Sequence, residues 1–274
     1  MPTGFRLLQV NARLYSSSLV DGHPWDERGK PPAKGFQQRR YPFHKLLDTA
    51  DASVITLQEC DWEDVLRKDL LPYLTKSTGH EWLQAHRGKV GVAWDSHKWM
   101  GAELGQWDMP NGTEDPRRFV LTQLTSHSTG GQFYVGSWHA GVHFKGEQAA
   151  RRGQARFIMA RLAELGLGQL GGAAVAIAGD INDAPTYPSA GVRTEFRKGG
   201  LLDIRTRLPE DDVDGDTLAT HHGYRPTKAD GRWLDEIVTS RAIRLRSCEN
   251  MLTDPTHRFP NATDHNALLL RGEF

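Results

Sequence analysis

Ala173-Ala174-Val175-Ala176-Ile177-Ala178-Gly179-Asp180-Ile181-Asn182 is a run of small and branched apolar residues that ends in a glycine, an acid and an amide. Apolar content this continuous predicts a strand over Ala173 to Ala178. Two other runs have the same build. Val54-Ile55-Thr56-Leu57-Gln58 ends in Glu59, and Phe133-Tyr134-Val135-Gly136-Ser137-Trp138 ends in His139. Three predicted strands therefore deliver a carboxylate, an imidazole and a carboxylate-amide pair at their C-terminal ends, where a sheet hands its chain to loops.

Outward from these, strands are predicted over Phe5 to Asn11, Ser53 to Gln58, Val90 to Trp94, Phe119 to Leu124, Gln132 to His139, Leu234 to Thr239, Ile243 to Arg246 and Ala267 to Leu270, from β-branched, aromatic or continuous apolar content. Between them lie three predicted helices. Glu147 to Leu165 sets Ala155, Ile158, Leu162 and Leu165 on one face, turns most of its arginines elsewhere, and is closed by Gly166. Asp61 to Leu71 starts on a capping acid and stops before Pro72, and a third helix starts near Pro42 and runs to Ala50. The polar, glycine-containing link 125–131 joins two strands in antiparallel fashion, so the sheets are mixed. The expected class is α+β, a sandwich with helices outside, built as one domain over residues 1–274.

Composition excludes several classes of function. Hydrophobic residues make up 38% and charged residues 25%, which rules out a disordered or fibrous chain. Lys plus Arg equals Asp plus Glu at 34 each, so there is no overall basic field drawing the protein to nucleic acid, and phosphate binding has to be local. Cys60 and Cys248 are too few for a disulfide framework or a thiolate zinc site. The opening residues lack an apolar signal core and no run is long enough to span a bilayer, so the expected address is intracellular.

Polar residues occupy positions where a strand pattern calls for apolar ones. Arg232-Trp233-Leu234-Asp235-Glu236-Ile237-Val238 places an acid inside a strand, and Thr263-Asp264-His265 sets an acid beside a base just before Asn266-Ala267-Leu268-Leu269-Leu270. Burying a charge costs several kcal/mol unless it is paired or bound to metal. One shared cluster of Asn11, Glu59, His139, Asp180, Asn182, Asp235, Asp264 and His265 would account for all of these placements.

Asn11, Leu57-Gln58-Glu59, Gly179-Asp180-Ile181-Asn182, Leu234-Asp235-Glu236-Ile237 and Thr263-Asp264-His265, in this order, resemble the five signature motifs of the endonuclease/exonuclease/phosphatase superfamily, the deoxyribonuclease-I-like fold. The likeness runs from residue 5 to 270. It implies a four-layer sandwich of two mixed β-sheets flanked by α-helices, with a divalent-metal phosphoesterase site at one edge. By the same resemblance Glu59 is the principal Mg²⁺ ligand, with Mn²⁺ as a substitute, Asp264 is the second acid near the metal and Asn11 supports that corner. Asp235 orients His265, Asp180 and Asn182 hold the attacking water and phosphoryl group, and His139 donates to a phosphate oxygen or the leaving group. Arg118 is the expected phosphate contact and His143 a loop residue touching substrate.

Two positions depart from the family pattern. Asn11 is followed by Ala12 and Arg13 where many nucleases carry an acid, so a second acidic ligand from that strand is missing, and Thr263 stands where serine is usual. Rival readings are weaker. His139 and His143 have zinc-like spacing, but Gly141 and the preceding strand argue against a helix there. Asp212, Asp214 and Asp216 open like a calcium loop, yet Thr217 fills the required glycine position. Trp25, Arg28, Arg39, Arg40, Trp107, Arg151, Arg152, Lys228, Arg232 and Trp233 are candidates for a basic groove with stacking aromatics. The expected function is metal-dependent hydrolysis of nucleic-acid phosphodiester bonds, DNA or RNA, by in-line attack of water. The alternatives are a phosphatase or phosphodiesterase for a small molecule or lipid headgroup, and a non-catalytic binding module on the same fold.

Overall fold

The structure, a computed structural model, describes residues 2–12, 35–60, 62–110, 117–141, 147–167, 172–182, 191–208, 213–214, 220, 234–253, 263 and 265–274. His143, Asp264, Asp212, Asp216, Trp25, Arg28, Lys228, Arg232 and Trp233 lie outside the described residues, and of Arg39 and Arg40 only the backbone is described.

The strands are β1 Gly4–Asn11, β2 Val54–Gln58, β3 Trp82–Arg87, β4 Val90–Asp95, β5 Trp99–Met109, β6 Arg117–Ser126, β7 Gln132–His139, β8 Ala174–Asp180, β9 Leu202–Asp203, β10 Val213–Asp214, β11 Asp235–Thr239, β12 Arg244–Met251 and β13 Ala267–Glu273. The helices are α1 Gly35–Ala50, α2 Leu71–Thr78, α3 Glu147–Glu164, α4 Gly191–Lys198 and α5 Ile204–Arg207, with a π-helical stretch Trp62–Leu70 leading into α2. One sheet has the order β10-β12-β13-β1-β2-β4-β3 and the other β5-β6-β7-β8-β11-β9. Both are mixed: β1 and β2 run parallel, as do β7 and β8, while β1 and β13, and β8 and β11, are antiparallel.

Strand periodicity sorts the side chains into three apolar layers. Leu7, Val54, Val92, Val135, Ala176, Ile237 and Leu268 meet between the two sheets. Leu8, Ile55, Leu57 and Leu269 point the other way, under Phe43, Leu46 and Leu47 of α1 and Leu74 of α2. Leu121, Trp138, Val175 and Ile177 pack under Ala155, Ile158 and Leu162 of α3 and Phe196 of α4. Helix, sheet, sheet, helix is the four-layer sandwich expected, and each layer buries an unbroken apolar face.

Several local expectations are corrected. Pro72 does not stop a helix: the π-helical turn ends at Leu70 and α2 begins there, with the proline in its first turn, where a missing N–H costs nothing. Pro42 lies inside α1, which starts at Gly35. A proline in a helix interior costs about 3 kcal/mol, and the burial of Phe43, Leu46, Leu47 and Ala50 beyond it offsets that. Leu165 is exposed past the end of α3, and Leu167 is buried instead. Arg151 is buried and its Nε donates to the Gly141 carbonyl at 2.8 Å, so it fastens the segment after His139 to α3. Strands β3 and β5 were not expected, because both are edge strands with mixed polar sequence.

Candidate active site

The two-residue period that fills the inter-sheet layer also builds the site. Along β1 the inward positions are Leu7, Gln9 and Asn11; along β2, Val54, Thr56 and Gln58; along β7, Phe133, Val135, Ser137 and His139; along β8, Ala174, Ala176, Ala178 and Asp180. In every case the inward face turns from apolar to polar at the same end of the sandwich. β11 runs antiparallel to β8 and so contributes its first residue, Asp235, which pairs in register with Asp180. β7 runs parallel to β8 and brings His139 level with the same Asp180. Glu236, next to Asp235, faces the other way and pairs with Arg193 at 2.8 Å.

Hydrogen bonds between the sheets tie this end together. The Asn11 Nδ2 donates to Glu59 Oε1 at 3.2 Å and to Asp180 Oδ2 at 3.1 Å. His265 Nδ1 meets Asp235 Oδ2 at 2.7 Å, and its Nε2 stands 3.9 Å from Asp180 Oδ2. A carboxylate only accepts, so the His265 proton sits on Nδ1 and the lone pair is on Nε2, facing the cluster. The chain around the dyad is held by threonines. Thr263 donates to the Asn11 carbonyl at 2.6 Å, Thr253 to the His265 carbonyl at 2.6 Å, and Thr220 Oγ1 accepts from the Leu234 and Asp235 amides.

His139 is set the opposite way. Arg117 Nη1 approaches its Nδ1 at 3.4 Å, and a guanidinium only donates, so Nδ1 accepts and the proton is on Nε2. That Nε2 lies 3.5 Å from Asp180 Oδ2 and 3.9 Å from Glu59 Oε1. One imidazole thus presents a base and the other a donor to the same carboxylate.

Glu59 and Asn182, which flank the cluster, both have left-handed backbone, with φ of 50° and 51°. Asparagine adopts this region readily, whereas for glutamate it costs about 1–2 kcal/mol. The turn at Glu59 is pinned on both sides, by Ala12 N to the Gln58 carbonyl at 2.8 Å and Cys60 N to the Lys89 carbonyl at 3.2 Å. Asn182 N donates to Asp180 Oδ1 at 3.0 Å. Burial, and after it the nearby Asp235 and Glu59 carboxylates, push the Asp180 carboxyl up to about 7 against the opposing pull of His265. So much buried negative charge, offered by oxygen donors, fits a hard divalent cation. Glu59, His139 and Asp180 present ligand atoms within 4.8 Å of one another, and so do Asp180, Asp235 and His265.

Asn11, Glu59, His139, Asp180, Asn182, Asp235 and His265 therefore converge. Arg118 is directed elsewhere, its Nε 3.3 Å from Asp108, which also holds Arg87 at 2.7 Å. The guanidinium beside the cluster belongs to Arg117. Gln9, Gln58 and Ser137 were missed as site residues, although each is a polar residue at an inward strand position, which is the signal that could have found them.

Gly179 owes its place to β7. A Cβ there would lie 2.0 Å from the Trp138 carbonyl oxygen, a backbone atom that cannot swing away. Gly179→Ala is expected to cost about 1–3 kcal/mol, read as a lower urea midpoint, and to displace Asp180 from His139.

Neither a protein-family model nor a curated protein matches the sequence. Solved structures do. An endonuclease/exonuclease/phosphatase family protein from Bacteroides thetaiotaomicron matches with a TM-score of 0.73 at 18% identity, over 100% of this chain and 99% of the other. A mannosyl-6-phosphatase from the same organism matches at 0.73 and 18% identity, over 98% and 100%. D. rerio TDP2, complexed with a single-strand DNA product, matches at 0.63 and 14% identity, over 98% and 99%.

Proposed function

On the endonuclease/exonuclease/phosphatase fold that this chain adopts, we propose a divalent-metal-dependent phosphoester hydrolase that cleaves nucleic-acid phosphodiester bonds. The observation that carries the reading is the facing pair of imidazoles: His265, held by Asp235 at 2.7 Å, and His139, both turned to Asp180. Glu59, with Asp264 and Asn11, would hold the cation. A bound Mg²⁺ supplies Lewis-acid polarisation of the phosphoryl oxygens.

The chain's own residues do the rest. Asp180 and Asn182 hold a water against the basic Nε2 of His265, which takes its proton as the oxygen attacks phosphorus in line with the leaving group. Asp235 stabilises the imidazolium that forms. His139 donates from Nε2 to a non-bridging oxygen or to the departing oxygen as negative charge develops there. Two buried free cysteines are in keeping with an intracellular address. No helix among the described residues is long and apolar enough to cross a membrane.

A second reading, hydrolysis of a small phosphoester, is favoured by one feature. Arg87 and Arg118 are both engaged by Asp108 rather than aligned for a polyanion, and one protein of the same fold is a mannosyl-6-phosphatase. The test is a panel of plasmid DNA, single-stranded DNA, RNA, inositol and sugar phosphates and a generic phosphodiester, with Mg²⁺, Mn²⁺ or chelator. Cleavage of DNA or RNA is expected, lost in chelator and restored by Mg²⁺. Turnover of sugar phosphates alone would move the substrate to the second reading, and activity that persists in chelator would remove the metal.

A further inference from the structure

We propose that Gln9 is a positioning residue that fixes the Asp235 carboxylate for His265. Gln9 is on β1, two residues before Asn11, and has no solvent exposure. Its Nε2 donates at 2.8 Å to Gln58 Oε1 and at 2.8 Å to Asp235 Oδ1. Gln58 Nε2 in turn donates to Ser137 Oγ at 2.9 Å, and Ser137 donates to the Leu57 carbonyl at 3.0 Å.

The direction of every link follows from that carbonyl. Ser137 gives its one proton to Leu57, so it can only accept from Gln58. Gln58 therefore turns its NH₂ to Ser137 and its oxygen to Gln9, and Gln9 has to turn its NH₂ inward. Its second proton then reaches Asp235. With the Gln9 amide flipped, its oxygen would face two acceptors, Gln58 Oε1 and Asp235 Oδ1. The relay thus orients the Gln9 amide from a fixed backbone atom in the other strand.

This orientation leaves the Gln9 Oε1 buried without a hydrogen-bond partner. An orphaned buried acceptor is destabilising, because it gives up its bonds to water without replacement. A methionine or leucine would fill the same space in this layer but would give no donor to Gln58 Oε1 or Asp235 Oδ1, so packing alone does not explain the glutamine. The second donor does: with Oδ1 held by Gln9, the Asp235 carboxylate cannot rotate, and Oδ2 stays 2.7 Å from His265 Nδ1. The consequence for turnover rests on the proposed hydrolase function; the consequence for the His265 ring does not.

The test is Gln9→Met, close in volume and without a donor. In the metal-free protein, imidazole ¹⁵N shifts report which His265 nitrogen carries the proton. Wild type is expected to show the Nδ1–H form alone and Gln9→Met a mixture of both tautomers. With Mg²⁺ and a cleaved substrate, kcat is expected to fall about 10- to 100-fold, with KM held within about twofold. The melting temperature is expected to drop as well, because Gln58 Oε1 and the buried Asp235 Oδ1 each lose the Gln9 donor; the tautomer is what separates the roles, since a purely structural glutamine would lower the melting temperature with the tautomer intact. A folded Gln9→Met protein with His265 wholly in the Nδ1–H form overturns the proposal. Should that variant be recovered unfolded, Gln9→Asn, whose amide falls one methylene short of Asp235, is read in the same way and decides. A wild type that cleaves no phosphoester would refute the hydrolase function and leave the tautomer measurement standing.

Discussion

Metal-free Asp180→Asn is expected to melt at a higher temperature than the wild type above pH 7, while its phosphoester hydrolysis falls about 10²- to 10⁴-fold. The two effects have one source. Asp180 is 2% exposed and shares its surroundings with the Asp235 and Glu59 carboxylates; burial first, and then these two acids, raise its carboxyl from 3.8 to about 7. A folded-state value above the unfolded one means that the folded chain keeps a proton the unfolded chain has lost. The stability this gives is full below about pH 4 and is lost as pH rises through 7. Asparagine cannot ionise, so the advantage of the variant should be absent near pH 4 and grow across that window.

Its size is bounded on both sides. The shift corresponds to a few kcal/mol at most. Against it stands the bond from Asn11 Nδ2, 3.1 Å from the oxygen that becomes an NH₂, worth about 1 kcal/mol. The bond from Asn182 N to Oδ1 survives. Melting curves from pH 4 to 8 in chelator are the measurement. A difference that stays flat with pH would mean that Asp180 is ionised in the folded protein throughout, and that the acids around it are already compensated.

The sequence carried the centre of this molecule better than its rim. β1, β2 and β7 lie inside their sheets and their limits could be read to within one residue, whereas β8 and β13, also inside, run on two and three residues past the end of their apolar runs. β3 and β5 close the sheet edges, where one side is wet and the sequence WMGAELGQWDM loses its pattern. The site followed the same logic. Asp180 and Asp235 stood out because an acid interrupts an apolar run, whereas Gln9 and Ser137 look like ordinary polar alternation until their strands are laid across one another. Arg117 and Arg118 differ by a single step of register. Strand alternation puts Arg118 on the inter-sheet face with Val120 and Arg117 on the outer face with Phe119, yet Asp108, opposite Arg118, holds that guanidinium while Arg117 reaches His139. No local property of the two arginines distinguishes them.

Asp235→Asn separates the chemistry of the dyad from its packing. The substitution keeps volume and shape, and Oδ1 still accepts from Gln9 at its 2.8 Å position. The atom facing His265 Nδ1, however, becomes an NH₂ in place of the oxygen now 2.7 Å away. An NH₂ can only donate, so Nδ1 has to accept and the imidazole proton moves to Nε2. That nitrogen then has no lone pair to take a proton from water, and in the resting protein it can donate toward Asp180 Oδ2, 3.9 Å away. Stability should therefore hold, since one buried charge is removed and every neighbour keeps a partner. Hydrolysis should fall on the order of 10³- to 10⁴-fold, the scale of forcing a catalytic histidine into its wrong tautomer, with the loss in kcat rather than KM. His265→Ala should lose as much activity, but it also strands a buried carboxylate and should lower the melting temperature. An Asp235→Asn protein that holds the Nε2–H tautomer and still turns over within tenfold of wild type would show that His265 takes no proton in the reaction, and the water would need another base.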